Sequence, residues 1–172
     1  LVPGEVVPLQ ADAGRAAALA PNHVIGPAAG PGVLTRALAE RLSPSTHIVA
    51  TDLNQPMLDR AAAIGTARPV QWRQADAMQL PFDEASFDVV VCQFGVMFFP
   101  DKAGAFAQSR RVLRPGGVFL FNAWDRIEEN EFADVVTAAL ASVFPADPPR
   151  FLARTPHGHH DEQAIARGLL QG

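Results

Sequence analysis

Three side chains have the type and placement to hold a small polar ligand. Asp52 ends the run His47–Asp52 (HIVATD), Asp76 follows the segment Pro69–Gln74, and Gln93 sits near the end of Phe87–Phe94 (FDVVVCQF). A carboxylate accepts two hydrogen bonds from a vicinal diol without needing a proton of its own, so Asp52 suits a ribose. A solvated strand end or a helix cap is the plainer use of the same residue. Asp76, with Ala77 and Met78, suits an adenine edge and face, or else an ordinary Asx turn. Asp52 lies 20 positions after Gly32, close to the ~20-residue offset at which an acid after a second strand reaches a ribose. The loop before it, Gly26-Pro27-Ala28-Ala29-Gly30-Pro31-Gly32, fits no register of Gly-x-Gly-x-x-Gly. Pro27 and Pro31 also remove two N–H groups that a pyrophosphate would need. The loop suits close approach by a ligand without phosphate, which disfavours a nicotinamide-dependent oxidoreductase.

Other reactive residues carry less. His157-Gly158-His159-His160 reads as a solvated loop rather than a metal site, since no paired cysteines accompany it. Cys92 lies inside an apolar strand and reads as core. Asp83-Glu84 is a polar loop. Phe94, Phe98 and Phe99 suit either a substrate pocket or the core.

The elements that must position these residues alternate between strand and helix. Val24-Ile25 begins a first strand, the small-residue loop follows, and Leu34, Leu38 and Leu42 mark a helix. After the second strand, Asn54 is expected to cap a helix that carries Pro56 in its first turn and stops at Gly65. The apolar centre Val89–Cys92 predicts a strand buried on both faces, hence a parallel sheet covered by helices. Asp101 is expected to cap a helix to about Leu113. Arg114-Pro115-Gly116-Gly117 predicts a type II turn, with a fifth strand from Val118 to Asn122. From Glu128 onward Phe132, Val135, Val136, Ala139, Leu140 and Val143 form a helical apolar stripe. A short helix within Ala11–Ala20 and another over Asp161–Leu170 complete the pattern. The fold expected is a doubly wound, Rossmann-like, mostly parallel α/β sheet with helices on both faces. Ligands of such sheets bind at the carboxyl ends of the strands, which puts Asp52, Asp76 and Gln93 on one rim.

The 172 residues suit a single domain, with 1–21 a short N-terminal lead and 145–172 a C-terminal extension. At 48% hydrophobic and 19% charged the composition is that of a globular protein. A net charge of −4 argues against a general nucleic-acid or membrane-surface binder. One cysteine cannot form an internal disulfide, and no apolar run approaches the ~20 residues of a membrane span. A cytoplasmic protein is the expectation.

Taken together, Ala28-x-Gly30-x-Gly32, IVATD, QADAMQLPF (Gln74–Phe82), SFDVVVCQFGVMFFPD (Ser86–Asp101) and RVLRPGG (Arg111–Gly117) resemble the class I S-adenosylmethionine-dependent methyltransferases. The resemblance is to small-molecule enzymes of the ubiquinone/menaquinone-biosynthesis-like group and runs in order from about His23 to Trp124. It implies S-adenosyl-L-methionine as cofactor and a small-molecule methyl acceptor. The backbone at Ala28, Gly30 and Gly32 would lie along the methionine part and sugar, and Asp52 would hold the ribose hydroxyls. Leu53 and Met57 would meet the adenine, Asp76 and Ala77 its amino edge, and Gln93 with Phe94 would face the sulfonium and the acceptor. No residue is assigned as a general base.

In two respects the chain departs from the family pattern. Gly26 stands where members carry an acid that holds the cationic methionine end; losing such a charge-assisted bond, about 1.5–3 kcal/mol, weakens binding roughly ten- to a hundred-fold. The family sheet also continues into a further hairpin after the last strand, so the C-terminal extension reads as truncated and the fifth strand as an exposed edge. A homodimer or an incomplete chain would each account for that. The alternative to an enzyme is a degenerate methyltransferase-like scaffold or binding domain.

Overall fold

In the computed structural model, which describes residues 11–172, alternating apolar runs and amphipathic helices assemble a parallel sheet. The strands are β1 (His23–Gly26), β2 (His47–Asp52), β3 (Gln71–Gln74), β4 (Phe87–Gln93) and β5 (Leu113–Asn122), in the order β3-β2-β1-β4-β5, and every pairing is parallel. Strand order reverses between β1 and β4, so the loop after β1 emerges at the switch point where such sheets bind ligands.

One face of the sheet is covered by α1 (Ala11–Ala18) and α2 (Val33–Arg41). Ala13, Ala16, Leu34 and Leu38 pack there against Val24, Ile48, Val89 and Val91. The N-terminal lead is thus partly a packed helix, while its first ten residues lie outside the described part. Alternation along the strands sends Ile25, Val49 and Val90 to the opposite face, where they meet Leu80, Phe87 and Val112. Val112 belongs to α4 (Lys102–Val112), whose Phe106 packs with Cys92 and Val96. Asp101 caps α4 as expected, accepting from the Gly104 N–H at 2.9 Å. The C-terminal helix α7 (Glu162–Gln171) returns to α4, with Gly168 against the Phe106 ring.

Three expectations are revised. Asn54 is the residue before α3 (Gln55–Ile64), but its side chain makes no cap; its N–H instead donates to Asp52 Oδ1. The Arg114–Gly117 segment does not separate α4 from a later strand, since β5 begins directly at Leu113. Pairing jumps from Phe87↔Leu113 to Val89↔Val118, so the turn residues form an irregularity inside the strand, with Gly116 at φ +81° as a type II geometry requires. The helix read from Glu128 begins as a 3-10 turn (Ile127–Glu129), and α5 proper runs Glu131–Val143, capped by Asn130. The apolar stripe of α5 is largely uncovered: Phe132 is 78% and Val143 67% exposed. A four-residue helix, α6 (Phe151–Arg154), lies between α5 and α7. Among the described residues no strand follows β5, which leaves it as an edge, and no helix is long and apolar enough to cross a membrane.

Candidate active site

At the carboxyl ends of β1, β2 and β4 the loops are knitted by backbone and carboxylate bonds. The Gly30 N–H donates to Asp52 Oδ2 at 2.8 Å, and the Asn54 N–H donates to Asp52 Oδ1 at 2.9 Å. The Ala29 N–H donates to the Thr51 carbonyl at 2.8 Å. Asp52 is therefore clamped between the loop after β1 and the loop after β2, half-buried and fixed in rotamer. Each carboxylate oxygen has two lone pairs, so both retain one for a further donor such as a hydroxyl. The chain tolerates unusual backbone to build this rim. Ala28, Gly30 and Gly32 have φ of +55°, +53° and +79°, and Phe94 after β4 has φ +50°. Left-handed Ala and Phe are rare and concentrate where function fixes the backbone.

A cavity of about 290 Å³ opens over this loop. Gly26, Ala28 and Gly30 line it from β1 and its loop, Leu34 and Leu38 from α2, and Gln93 and Phe94 from the end of β4. Gly32 is not part of its wall. There an added Cβ would lie 2.9 Å from Ala61 Cβ and 3.0 Å from the Trp72 ring, so this glycine serves close packing between α2, α3 and β3. At Gly26 an added Cβ would meet only the Val91 and Val49 carbonyls, at 3.6 and 4.0 Å. Space does not demand glycine at that position.

The remaining predicted residues lie along the rim toward β3. Leu53 and Met57 are 67% and 43% exposed. The Leu53 carbonyl is held by Gln74 Nε2 at 2.8 Å. Asp76 makes the Asx turn, accepting the Met78 N–H at 2.9 Å, and Ala77 and Met78 are half-buried beside it. The loop and Gln93 thus line one cavity, Asp52 is tied to that loop through the Gly30 N–H without forming part of the cavity wall, and Leu53, Met57, Asp76, Ala77 and Met78 follow along the strand ends toward β3.

Cys92 is fully buried, and loss of solvation pushes its thiol up to about 12, so it stays neutral and unreactive near pH 7. The histidine stretch is a loop, as expected, with Gly158 and His160 exposed, but its first histidine is not solvated. His157 is 4% exposed and its Nδ1 lies 2.7 Å from the Asp125 carbonyl. Residues that sequence reasoning passed over also shape the rim: Asn122 Oδ1 accepts the Phe94 N–H at 2.7 Å, and Trp124 stacks on Phe94. Neither carries a local motif; only the fold brings the end of β5 beside the end of β4. Thr51 Oγ1, under Asp52, is buried with no partner of its own.

A doubly wound sheet whose switch-point loop is tied to an acid at the end of β2 defines a nucleoside-binding class of α/β protein. Residues 25–121, more than half of the chain, match the family described as a methyltransferase domain. The chain belongs to that family, whose methyl donor is S-adenosylmethionine. It is 34% identical over 157 residues to the ubiquinone/menaquinone biosynthesis C-methyltransferase UbiE of Ectopseudomonas mendocina, covering 84% of this chain and 61% of that protein. It is 39% identical over 92 residues to a demethylmenaquinone methyltransferase of Lactobacillus johnsonii, covering 51% of this chain and 38% of that one. The chain thus spans less than two thirds of the length of either relative. A Bacillus halodurans crystal structure described as a methyltransferase candidate superposes with TM-score 0.70 at 26% identity, over 94% of this chain and 67% of its own.

Proposed function

We propose that the cavity and the strand ends beside it hold S-adenosylmethionine and that the protein transfers its methyl group to a small, flat, electron-rich acceptor of the kind named for the quinone-biosynthesis relatives. Residues 1–172 would act as one domain in this. The observation that carries the reading is the Gly30–Asp52 bond, which joins the small-residue loop to the acid that a ribose needs. A nucleoside without phosphate matches a loop whose prolines withhold two N–H groups.

The cofactor supplies a methyl on a positively charged sulfur, already a good leaving group, so the protein's tasks are binding, alignment and exclusion of water. Asp52 takes the ribose hydroxyls on the lone pairs left to it. Gly26, Ala28 and Gly30 give their backbone to the methionine part and sugar, and Gly32 sets the entry of α2 that shapes the loop. Leu53 and Met57 offer apolar surface to the adenine, with Asp76, Ala77 and Met78 along its amino edge. Gln93 and Phe94 face the reacting end.

Gly26 favours a second reading, a scaffold that binds the cofactor weakly or not at all. Calorimetric titration with S-adenosylhomocysteine and with NAD separates the two. Micromolar-range binding of the first and none of the second supports the enzyme; binding of neither supports the scaffold. Asp52→Ala removes a charged acceptor of at least two bonds and is expected to lower S-adenosylhomocysteine affinity by about a hundred-fold or more. An unchanged affinity sinks the ribose assignment.

A further inference from the structure

The loop after β5 and the histidine stretch of the C-terminal third meet beside the cavity, and the reading above leaves them without a role. Phe94 lines the cavity and is held from two sides. Its N–H is tied to Asn122 Oδ1. Gly95 behind it is so close to Ala28 and Cys92 that an added Cβ would come within 2.6 Å and 2.7 Å of their side chains. Trp124 covers one face of the Phe94 ring, with centroids 4.2 Å apart and planes at 12°. His157 follows, 6.0 Å from Trp124 and tilted by 40°. A carbonyl oxygen only accepts, so the Nδ1 of His157 that meets the Asp125 carbonyl carries the proton, which fixes both tautomer and ring plane. The backbone of His157 is held as well: its N–H donates to the Leu152 carbonyl at 3.0 Å, and its carbonyl accepts from His160 Nδ1 at 2.7 Å. Three rings therefore form a pile that starts on a buried, clamped histidine and ends on the cavity wall.

A ring free to rock must be ordered when a ligand stacks on it, whereas a clamped ring offers its face without that cost. We propose that His157 is a positioning residue of the acceptor site: through Trp124 it sets the plane of Phe94, whose cavity-side face takes a flat aromatic acceptor by stacking. The proposal rests on the methyl-transfer reading of the cavity. His157 itself does not reach the acceptor, because two rings stand between.

The full chain labelled with 5-fluorotryptophan gives one fluorine signal for each of its two tryptophans, and Trp124→Phe assigns them. With S-adenosylhomocysteine bound, 1,4-dihydroxynaphthalene is expected to shift the Trp124 signal and leave Trp72 unmoved. His157→Ala should keep S-adenosylhomocysteine affinity within about twofold, broaden the Trp124 signal and weaken the diol about tenfold. His157→Asn, which restores a donor to the Asp125 carbonyl, should recover part of that loss. Unchanged diol affinity in His157→Ala, parallel loss of S-adenosylhomocysteine, or no recovery in the Asn variant overturns the proposal alone, as does wild-type protein that binds S-adenosylhomocysteine but not the diol. Wild-type protein that binds no S-adenosylhomocysteine overturns the methyl-transfer reading and this one with it. If His157→Ala does not fold, Trp124→Leu breaks the pile at its half-exposed member. The same tenfold loss is then expected, and an unchanged diol affinity is the overturning result.

Discussion

The rim over β1, β2 and β4 and the outer face of α5 are both built from apolar sequence, yet the chain treats them in opposite ways. In the strands and helix beneath the rim the apolar positions are covered: Val24, Ile25, Val90 and Cys92 are fully buried and Leu38 is 1% exposed. Along α5 only Ala133 is buried, while Phe132, Val135 and Val143 face outward. Regular amphipathic spacing was present in both places. The difference shows that spacing decides which side of a helix is apolar, whereas the partner that covers it comes from elsewhere in the chain or from another molecule.

Stability measurements can break this contrast. Leu38→Ala, which empties a fully packed site between α2 and the sheet, is expected to cost about 2–5 kcal/mol by urea unfolding. Phe132→Ser on α5 should change stability by no more than about 0.5 kcal/mol, because little apolar surface is removed from water there on folding. A loss beyond about 1.5 kcal/mol in Phe132→Ser, growing with protein concentration, would mean that a second copy covers this face in solution.

How much of this could be read beforehand depended on the range of the interaction. The loop, the acid at Asp52 and the buried run Val89–Cys92 were legible because each depends on residues within one βα unit. The start of β5 was not. Arg-Pro-Gly-Gly has the residues of a type II turn and does adopt its φ at Gly116, but the pairing of Leu113 with Phe87 pulls the turn inside the strand. Asn54 has the side chain of a helix cap, yet the Asp52 carboxylate two residues earlier takes its N–H and sets its backbone. The burial of His157 depends on Asp125, thirty-two positions away, and nothing in Gly-spaced histidines announces that contact. Gly26 was legible as a departure, but whether the fold requires it was not, since that depends on the carbonyls of two neighbouring strands.

Gly26 offers a way to sharpen the rim side of the contrast. Because an added Cβ there would make only ordinary contacts, Gly26→Glu should fold and place a carboxylate at the base of the cavity. If the cationic methionine end lies there, calorimetry should show S-adenosylhomocysteine binding strengthened by about ten-fold, from a charge-assisted bond of roughly 1.5–3 kcal/mol offset by the cost of desolvating the new charge. The ligand-free variant should be less stable than the wild type, since its buried carboxylate then lacks a partner. Weaker binding would place the cationic end elsewhere.

The smallest effect belongs to the opposite ends of the strands, away from the rim. Asp88 there joins the start of β1 to the irregular start of β5: its Oδ2 accepts the Asn22 and His23 N–H groups, each at 2.8 Å, and its Oδ1 accepts Arg114 Nη1 at 2.7 Å. Burial pushes the carboxyl pKa up, but the two N–H groups and the Arg114 guanidinium outweigh it and hold the group below its ordinary value. A carboxyl whose pKa is depressed by folding binds fewer protons in the native than in the unfolded state. Its contribution is therefore complete above the unfolded value of about 3.9 and is lost as pH falls through the lower native value. Urea midpoints measured from pH 7 to pH 2 should fall in the acid range for the wild type, and Asp88→Asn should flatten part of that slope while lowering stability modestly at pH 7. An identical acid slope in the variant would show that the Asp88 join between Arg114 and the start of β1 contributes nothing to the pH dependence of stability.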